Sequence, residues 1–454
     1  MTGAMRGELP KVVVVGGGFG GAYAARALLR RTRGAVDLTI VSSTNYLLFA
    51  PLLPEAACGA IEPRHVVVPL RHMLPHARVV TGTVDSIDVH ARQAHVQLPD
   101  GVERTLAWDR LIVAPGGVPN VIPIPGLLER AVGVKSLAEC IWLRNHVIAL
   151  LELAEAEPDE QRRRELLTFV FVGGGYAGVE MLAELESMVR RIVRYYPRID
   201  RAELDWVLVD AAPRLLRELN EPLSRYVTQR LTRRGIRVLS RTTIEHVDGT
   251  LLRLSSGERL RSETLVWAAG VAPSPLVQTL GVPLERGRVR VDEQLRVPGA
   301  PDVWALGDCA SVPNAAEDGR PCPPTAQHAQ RQAKRVGHNV AASIGFGSAK
   351  PFRHPNRGSV ATLGVGDGVA QMGAIRMRGP VAWFAARGYH LLALPTLSRR
   401  VRVALDWTSQ LLLPADVGQL GQLGHPPRLD EATAAGTGHH ALERARPHAG
   451  SRST

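Results

Sequence analysis

The chain has 454 residues, 45% of them hydrophobic and 22% charged, which is too long for one ordinary domain and too apolar for an unfolded chain. Its formal net charge is +12, yet all of the 55 basic residues except Lys11, Lys135, Lys334 and Lys350 are arginines, a bias of composition, so the charge alone identifies no polyanionic partner. Four cysteines with no C-x-x-C spacing argue against a disulfide framework or a zinc site and suit a reducing compartment.

The first apolar run, Val12–Val15, is too short for the core of a secretory signal. Lys11–Val15 instead predicts a buried parallel strand, and it enters Gly16-Gly17-Gly18-Phe19-Gly20-Gly21 and then an alanine-rich helix from Ala22 to Leu29. This is G-x-G-x-x-G in its strand–turn–helix setting, where Gly16 permits the tight turn, Gly18 admits a pyrophosphate and Gly21 lets the helix pack on the strand. Alone, such a motif can be only a turn; the elements around it favour a dinucleotide. The next strand, Val36–Val41, ends at Ser42, where a hydroxyl offers a ribose a weaker partner than a carboxylate.

The pattern returns. Thr168–Val172 predicts a second strand, Gly173-Gly174-Gly175-Tyr176-Ala177-Gly178 a second turn, and Val179–Glu186 a second helix. The strand after it, Asp205–Val209, ends in Asp210. That carboxylate lies further along than the usual ~20 residues, with a loop from Tyr195 to Ala202 in between. It suits both ribose hydroxyls and repels a 2′-phosphate, favouring NADH over NADPH; a turn aspartate is the plainer alternative. Two copies in full context predict two dinucleotide domains, one for FAD and one for a nicotinamide. Further on, Asp302–Ala305 predicts a strand running into Gly307-Asp308 at the start of a helix.

At Gly307-Asp308 the chain resembles the FAD-dependent pyridine nucleotide oxidoreductases, which implies that Asp308 binds the ribityl–phosphate stretch of the flavin, a role compatible with a helix N-cap. Leu111–Gly117, with Ala114 and Gly116, and Leu265–Gly270 look like the family's two domain-joining strands. No dithiol follows the first fingerprint, so disulfide reduction is not expected. The chain is most similar to the type II NADH dehydrogenases, the non-pumping NADH:quinone oxidoreductases, over roughly residues 10 to 425. Leu47–Pro54 resembles their segment near the flavin, and Pro324-Thr325-Ala326-Gln327-His328-Ala329-Gln330 their quinone-site signature. The resemblance implies that Gln327 meets a quinone carbonyl, whereas Arg331 stands where many members have a second glutamine. Glu180 matches a glutamate near flavin and nicotinamide, with orienting the nicotinamide amide or relaying protons as its implied role; a first-turn glutamate serving the helix dipole is the bland reading. His328, a lone histidine on a helix, is read as structural or solvated and not as a proton donor.

After Gly379, the aromatic and apolar stretch Trp383, Phe384, Tyr389, Leu391, Leu392 and Leu394 is interrupted by Arg387 and ended by Pro395. A second helix follows, with Val401, Ala404, Leu405, Thr408, Leu411 and Leu412 on one face and Arg399, Arg402, Asp406 and Gln410 opposite. Such helices suit an anionic membrane interface; a homodimer contact or a cover over the core is the alternative. The expected architecture is α/β: two Rossmann-like domains, FAD in 10–125 and 286–374 with the quinone site, NADH in 126–285, amphipathic helices in 375–425, and a disordered tail in 426–454. The function expected is FAD-dependent NADH:quinone reduction, peripheral on the cytoplasmic face of the cell membrane, with no nucleic acid as partner. Sulfide:quinone reduction, using Cys140 and Cys322, and an NADH-responsive signalling flavoprotein are the rivals.

Overall fold

Short β-branched runs followed by helices build two parallel sheets in a computed structural model that describes residues 8–355 and 358–419. In chain order come β1 (Lys11–Val15), α1 (Phe19–Thr32), β2 (Asp37–Ser42), α2 (Leu53–Ala57), β3 (Arg78–Thr81) and β4 (Arg110–Val113). Next are α3 (Leu137–Ala156), β5 (Thr168–Val172), α4 (Tyr176–Ile192), β6 (Asp205–Asp210), β7 (Arg237–Ser240) and β8 (Thr264–Trp267). The chain then forms β9 (Ala300–Ala305), α5 (Ala326–Ser343), β10 (Ser359–Thr362), β11 (Gly368–Met372), β12 (Ile375–Arg378), α6 (Gly379–Ala393) and α7 (Leu397–Leu412).

The first sheet runs β9–β4–β1–β2–β3 with all neighbours parallel, and the short Arg296–Val297 strand pairs antiparallel on its β9 edge. Val12, Val14, Leu111 and Ile112 are fully buried, because a parallel sheet is covered on both faces and its strands read as continuous apolar runs. α1 and α5 pack together on this sheet. A Cβ on Gly337 would stand 2.6 Å from the Ala24 carbonyl oxygen, so the two helices touch backbone to backbone. The second sheet runs β7–β6–β5–β8, again parallel throughout. Phe169 of β5 stacks on Trp206 of β6 with ring centroids 4.4 Å apart. The strands Gly117–Pro119 and Val271–Pro273 pair antiparallel and tie the segments that leave the two sheets.

α4 runs to Ile192 and is followed by two single 3₁₀ turns, Val193–Tyr195 and Arg201–Glu203, before β6. β10, β11 and β12 form an antiparallel meander that turns into α6 at Gly379, whose φ of +64° lies in the left-handed region that glycine adopts without strain. Val403 and Trp407 of α7 join Phe49, Leu52, Ile61, Val66 and Leu394 in a separate small core. Among the described residues no helix is long and apolar enough to cross a membrane. The segment 426–454, read from the sequence as a disordered tail, lies outside the described residues.

Candidate functional site

Both glycine turns sit at the carboxyl ends of their sheets and have the same construction. Gly16 has φ +102° and Gly173 φ +119°. A Cβ on Gly16 would fall 2.1 Å from the Ala114 carbonyl oxygen, and one on Gly173 would fall 2.4 Å from that of Ala268. Added to Gly21 or Gly178, a Cβ would lie 1.8 Å or 2.0 Å from the carbonyl oxygen of the first glycine in the same turn. Gly18 and Gly175 are different: each caps a helix, and nothing lies within 4 Å of where its Cβ would be. The outer glycines are thus required by backbone contact, while the middle one faces open space at a helix N-terminus, where an anion is favoured.

The positions after the second strands also match. A Cβ on Gly17 would meet Ser42 Oγ at 2.4 Å, and one on Gly174 would meet Asp210 Oδ2 at 2.3 Å. Ser42 therefore occupies in the first cradle the place that Asp210 holds in the second. The Ser42 side chain is buried, and its hydroxyl accepts the Thr44 amide at 3.4 Å. Gly20 rests on Ala114, with 3.1 Å from its would-be Cβ to the Ala114 methyl. Gly116 (φ +75°) and Gly270 (φ +101°) stand just before the paired strands Gly117–Pro119 and Val271–Pro273, with no neighbour closer than 3.9 Å to either would-be Cβ.

Gly307–Cys309 forms one 3₁₀ turn, which corrects the expectation that Asp308 starts a helix. The reason is tertiary: Ala310–Ser311 pairs with Arg288–Arg290 and holds the backbone extended, so the next α-helix begins only at Ala326. Gly307 donates its amide to Gln332 Oε1 of α5 at 2.8 Å. Burial raises the Asp308 carboxyl above its ordinary value, opposed by Lys135 and Arg288. Lys135 donates through Nζ to the Gly117 carbonyl. Sequence reasoning missed both Lys135 and Gln332; the first could have been noticed as one of only four lysines.

Gln327 stands half-buried in the first turn of α5. Thr325 caps this helix, accepting the His328 amide at 3.3 Å, and its hydroxyl lies 2.8 Å from His328 Nδ1. His328 is buried, not solvated, meets His354 edge-on at 5.5 Å, and has its basicity lowered by burial. Gln330 and Arg331 line a different cleft, against α1. Phe49 packs on Phe19 of the first turn at 5.5 Å and on His390 of α6 at 6.4 Å, which brings the Leu47–Pro54 segment beside the first cradle.

Glu180 does not lie in the first turn of α4, which holds no acidic residue; the helix-dipole reading of it is corrected accordingly. Its Oε1 accepts the Thr362 amide at 2.9 Å. Burial raises the carboxyl to about 8 against that hydrogen bond, and Glu184 and Glu55 add repulsion. Glu184, one turn on and fully buried, is raised to about 7 by burial and then by Glu55, and it accepts from Cys58 Sγ at 3.8 Å. Glu55 of α2 is buried too; burial lifts its carboxyl, while Arg387 and Trp407 oppose the lift. Its two oxygens take Arg387 Nε at 3.1 Å and Trp407 Nε1 at 2.7 Å. Three carboxyls thus adjoin one another, and Glu180 can hold a proton at neutral pH.

The four cysteines are free thiols. Burial pushes Cys140 and Cys309 up to about 12 and Cys322 to about 11, and raises Cys58 as well. Burial thus disfavours the thiolate, the form that is nucleophilic, at each of them.

With this geometry in hand, comparison with known proteins is informative. Residues 10–333 match the model of the pyridine nucleotide-disulphide oxidoreductase family. The chain is 32% identical over 418 residues to the type II NADH:quinone oxidoreductase Ndh of Mycobacterium tuberculosis, covering 88% of each. It is 28% identical to the mitochondrial internal alternative NAD(P)H-ubiquinone oxidoreductase A1 of Solanum tuberosum, over 91% of this chain and 88% of the relative. Among solved structures, NDH2 from Plasmodium falciparum in complex with NADH superposes with a TM-score of 0.84 at 19% identity, covering 90% of this chain and all of that one.

Proposed function

The chain belongs to the pyridine nucleotide-disulphide oxidoreductase family and, within it, to the type II NADH:quinone oxidoreductases, and from that membership we propose how its residues divide the work. The protein is an FAD-dependent NADH:quinone oxidoreductase. The observation that carries this reading is the pair of matching open cradles in one chain, at Gly18 and Gly175.

Bound FAD would supply the redox chemistry, hydride acceptance followed by electron donation. In our reading Gly16, Gly18, Gly20, Gly21 and Ser42 hold its adenosine and pyrophosphate, and Asp308, with Lys135 beside it, holds its ribityl stretch. Ala114, Gly116 and Gly270 leave room where the two sheets meet. Gly173, Gly175, Gly178 and Asp210 hold NADH. These assignments follow the two sheets, with residues 10–125 and 286–374 for FAD and 126–285 for NADH. NADH and one solution proton together reduce a quinone to a quinol, so the protein must bind, orient and exclude water, and hold a proton ready. Gln327 presents an amide N–H to a quinone carbonyl at the head of α5. Glu180, protonated at neutral pH and held by the Thr362 amide, holds the proton.

A quinone with a long apolar tail lies in a bilayer. We assign α6 and α7 to peripheral docking at the cytoplasmic face of the cell membrane, supported by the apolar residues they expose and by Arg399, Arg400 and Arg402 for anionic headgroups. Anaerobic reduction tests the whole reading. NADH should bleach the flavin, and added soluble quinone should restore its colour. A flavin that stays bleached with quinone present would overturn the assignment. Gln327→Leu should slow the return of colour about tenfold or more while bleaching keeps its rate, since one lost hydrogen bond to the acceptor is worth about 1.4 kcal/mol.

A further inference from the structure

The close α1–α5 packing brings two rows of cations together. Arg26, Arg30 and Arg31 on α1 line one side of a cavity of about 720 Å³; Arg331 and Lys334 on α5 line another, and Arg400 closes a third. Tyr389, Leu392 and Leu394 form an apolar floor. No carboxylate lines it. Of these six cations Arg26, Arg331 and Arg400 are half-buried and Arg30, Arg31 and Lys334 exposed, and among the described residues none has a carboxylate within ion-pair distance. They repel one another instead: Arg26 is lowered by burial and by Arg30, and the adjoining His338 is lowered by burial, Arg335, Lys334 and Arg31. A cleft that gathers uncompensated cations favours a multiply accepting anion, for which arginine forks are suited.

The apolar floor decides which anion. A free phosphate needs no Leu392 or Tyr389, and a nucleic acid strand would find two tyrosines, Tyr23, already stacked on Phe19, and Tyr389, short of the run of open rings on which successive bases stack. Leu392 is 72% exposed and Leu397, just beyond Pro395, is 74% exposed, so the floor continues onto the outer face of α7. We propose that this cleft is a binding site for one acidic glycerophospholipid, its phosphodiester held by Arg26, Arg30 and Lys334 and its acyl chains laid over Tyr389 and Leu392. The site is distinct from a diffuse attraction of Arg399 and Arg402 to a charged surface. It rests on the proposed membrane docking only for the direction in which the acyl chains leave.

The test uses the full-length flavoprotein in non-ionic detergent micelles doped with phosphatidylglycerol or phosphatidylcholine, with bound lipid counted by native mass spectrometry. The parent should retain one phosphatidylglycerol per chain in preference to phosphatidylcholine. The R26Q/R30Q/K334Q variant should bind it at least about tenfold more weakly, the scale of losing charge-assisted hydrogen bonds, while NADH still bleaches its flavin at the parent rate. R399Q/R402Q should keep the bound lipid and lose only affinity for phosphatidylglycerol vesicles at low salt. Equal retention by the triple variant, or equal binding of phosphatidylcholine, would overturn the proposal. Displacement of the lipid by millimolar inorganic phosphate would make this a free-anion site, and displacement by a single-stranded oligonucleotide would make it a nucleic-acid site. A parent that holds the lipid in micelles yet ignores vesicles would refute the docking and leave the lipid site standing.

Discussion

A carboxylate and a hydroxyl stand at matching places in the two cradles, and the difference should be measurable. Asp210 lies against Gly174 as Ser42 lies against Gly17, so Asp210→Ser converts one cradle into a copy of the other at that point. Losing charged hydrogen bonds to the ribose costs about 1.5–3 kcal/mol, and the repulsion of a 2′-phosphate disappears with them. The NADH/NADPH ratio of kcat/KM should therefore fall by roughly tenfold or more. A ratio that does not move would remove Asp210 from the ribose site. Glu180 gives a second prediction, in pH. Its folded carboxyl is raised to about 8 from an unfolded value near 4.3, so the folded state binds the extra proton. Stability contributed by that proton is complete below the unfolded value and is lost as pH rises through about 8. Glu180→Gln should consequently gain melting temperature relative to the parent between pH 5 and 9, by roughly 2–4 °C for each kcal/mol recovered. A constant difference across that range would show that Glu180 is already ionised in the fold.

At the scale of elements, a buried ion pair ties the two C-terminal helices to α2. Arg387 of α6 reaches Glu55 of α2 at 3.1 Å and Gln410 of α7 at 2.8 Å, with its guanidinium over the rings of Trp383 and Trp407. The residue read from the sequence as an interruption of an apolar face is thus the point where α2, α6 and α7 meet. Asp406 and Gln410 are likewise turned inward, Asp406 onto His65 at 2.5 Å, rather than forming a solvated polar face; Val401, Leu405 and Leu412 are the exposed ones. Arg387→Leu leaves Glu55 buried without its partner, which costs about 3–5 kcal/mol. The expected result is a lower unfolding midpoint, with part of the loss restored by pairing it with Glu55→Gln. If the double variant is no better than the single, the pair is not what holds the helices. The sequence showed the cradles and not this latch for a physical reason. Glycine spacing reports a backbone need met within a few residues, whereas Glu55 and Arg387 are 332 positions apart and either reads alone as a surface charge. The turn at Asp308 escaped for a related reason, since its extended exit is set by pairing with Arg288–Arg290 and not by its own residues.

For the whole molecule, the docking proposed for α6 and α7 can be set against a purely structural role for their outer face. The outer face of α6 and α7 exposes Phe384 (63%), Leu405 (63%) and Leu412 (77%), while their inner faces are fixed to the body that carries the cradles. Removing these helices outright would also strip Arg387 from Glu55, so deletion confounds docking with folding. Substituting the exposed side chains separates the two. Each leucine or phenylalanine withdrawn from water contributes about 1.5–3 kcal/mol, a term that salt does not screen, whereas each arginine near an anionic surface adds about 1 kcal/mol that salt does. The F384N/L405N/L412N variant should therefore lose vesicle binding at every ionic strength, and R399Q/R402Q only at low salt. Both should bleach with NADH as the parent does, because none of these side chains lines a cradle. The decisive measurement is turnover with a long-tailed quinone in vesicles set against a short-tailed soluble one. The asparagine variant should fail with the first and keep the second, and equal loss with both would mean that this face stabilises the enzyme instead of delivering it to its acceptor.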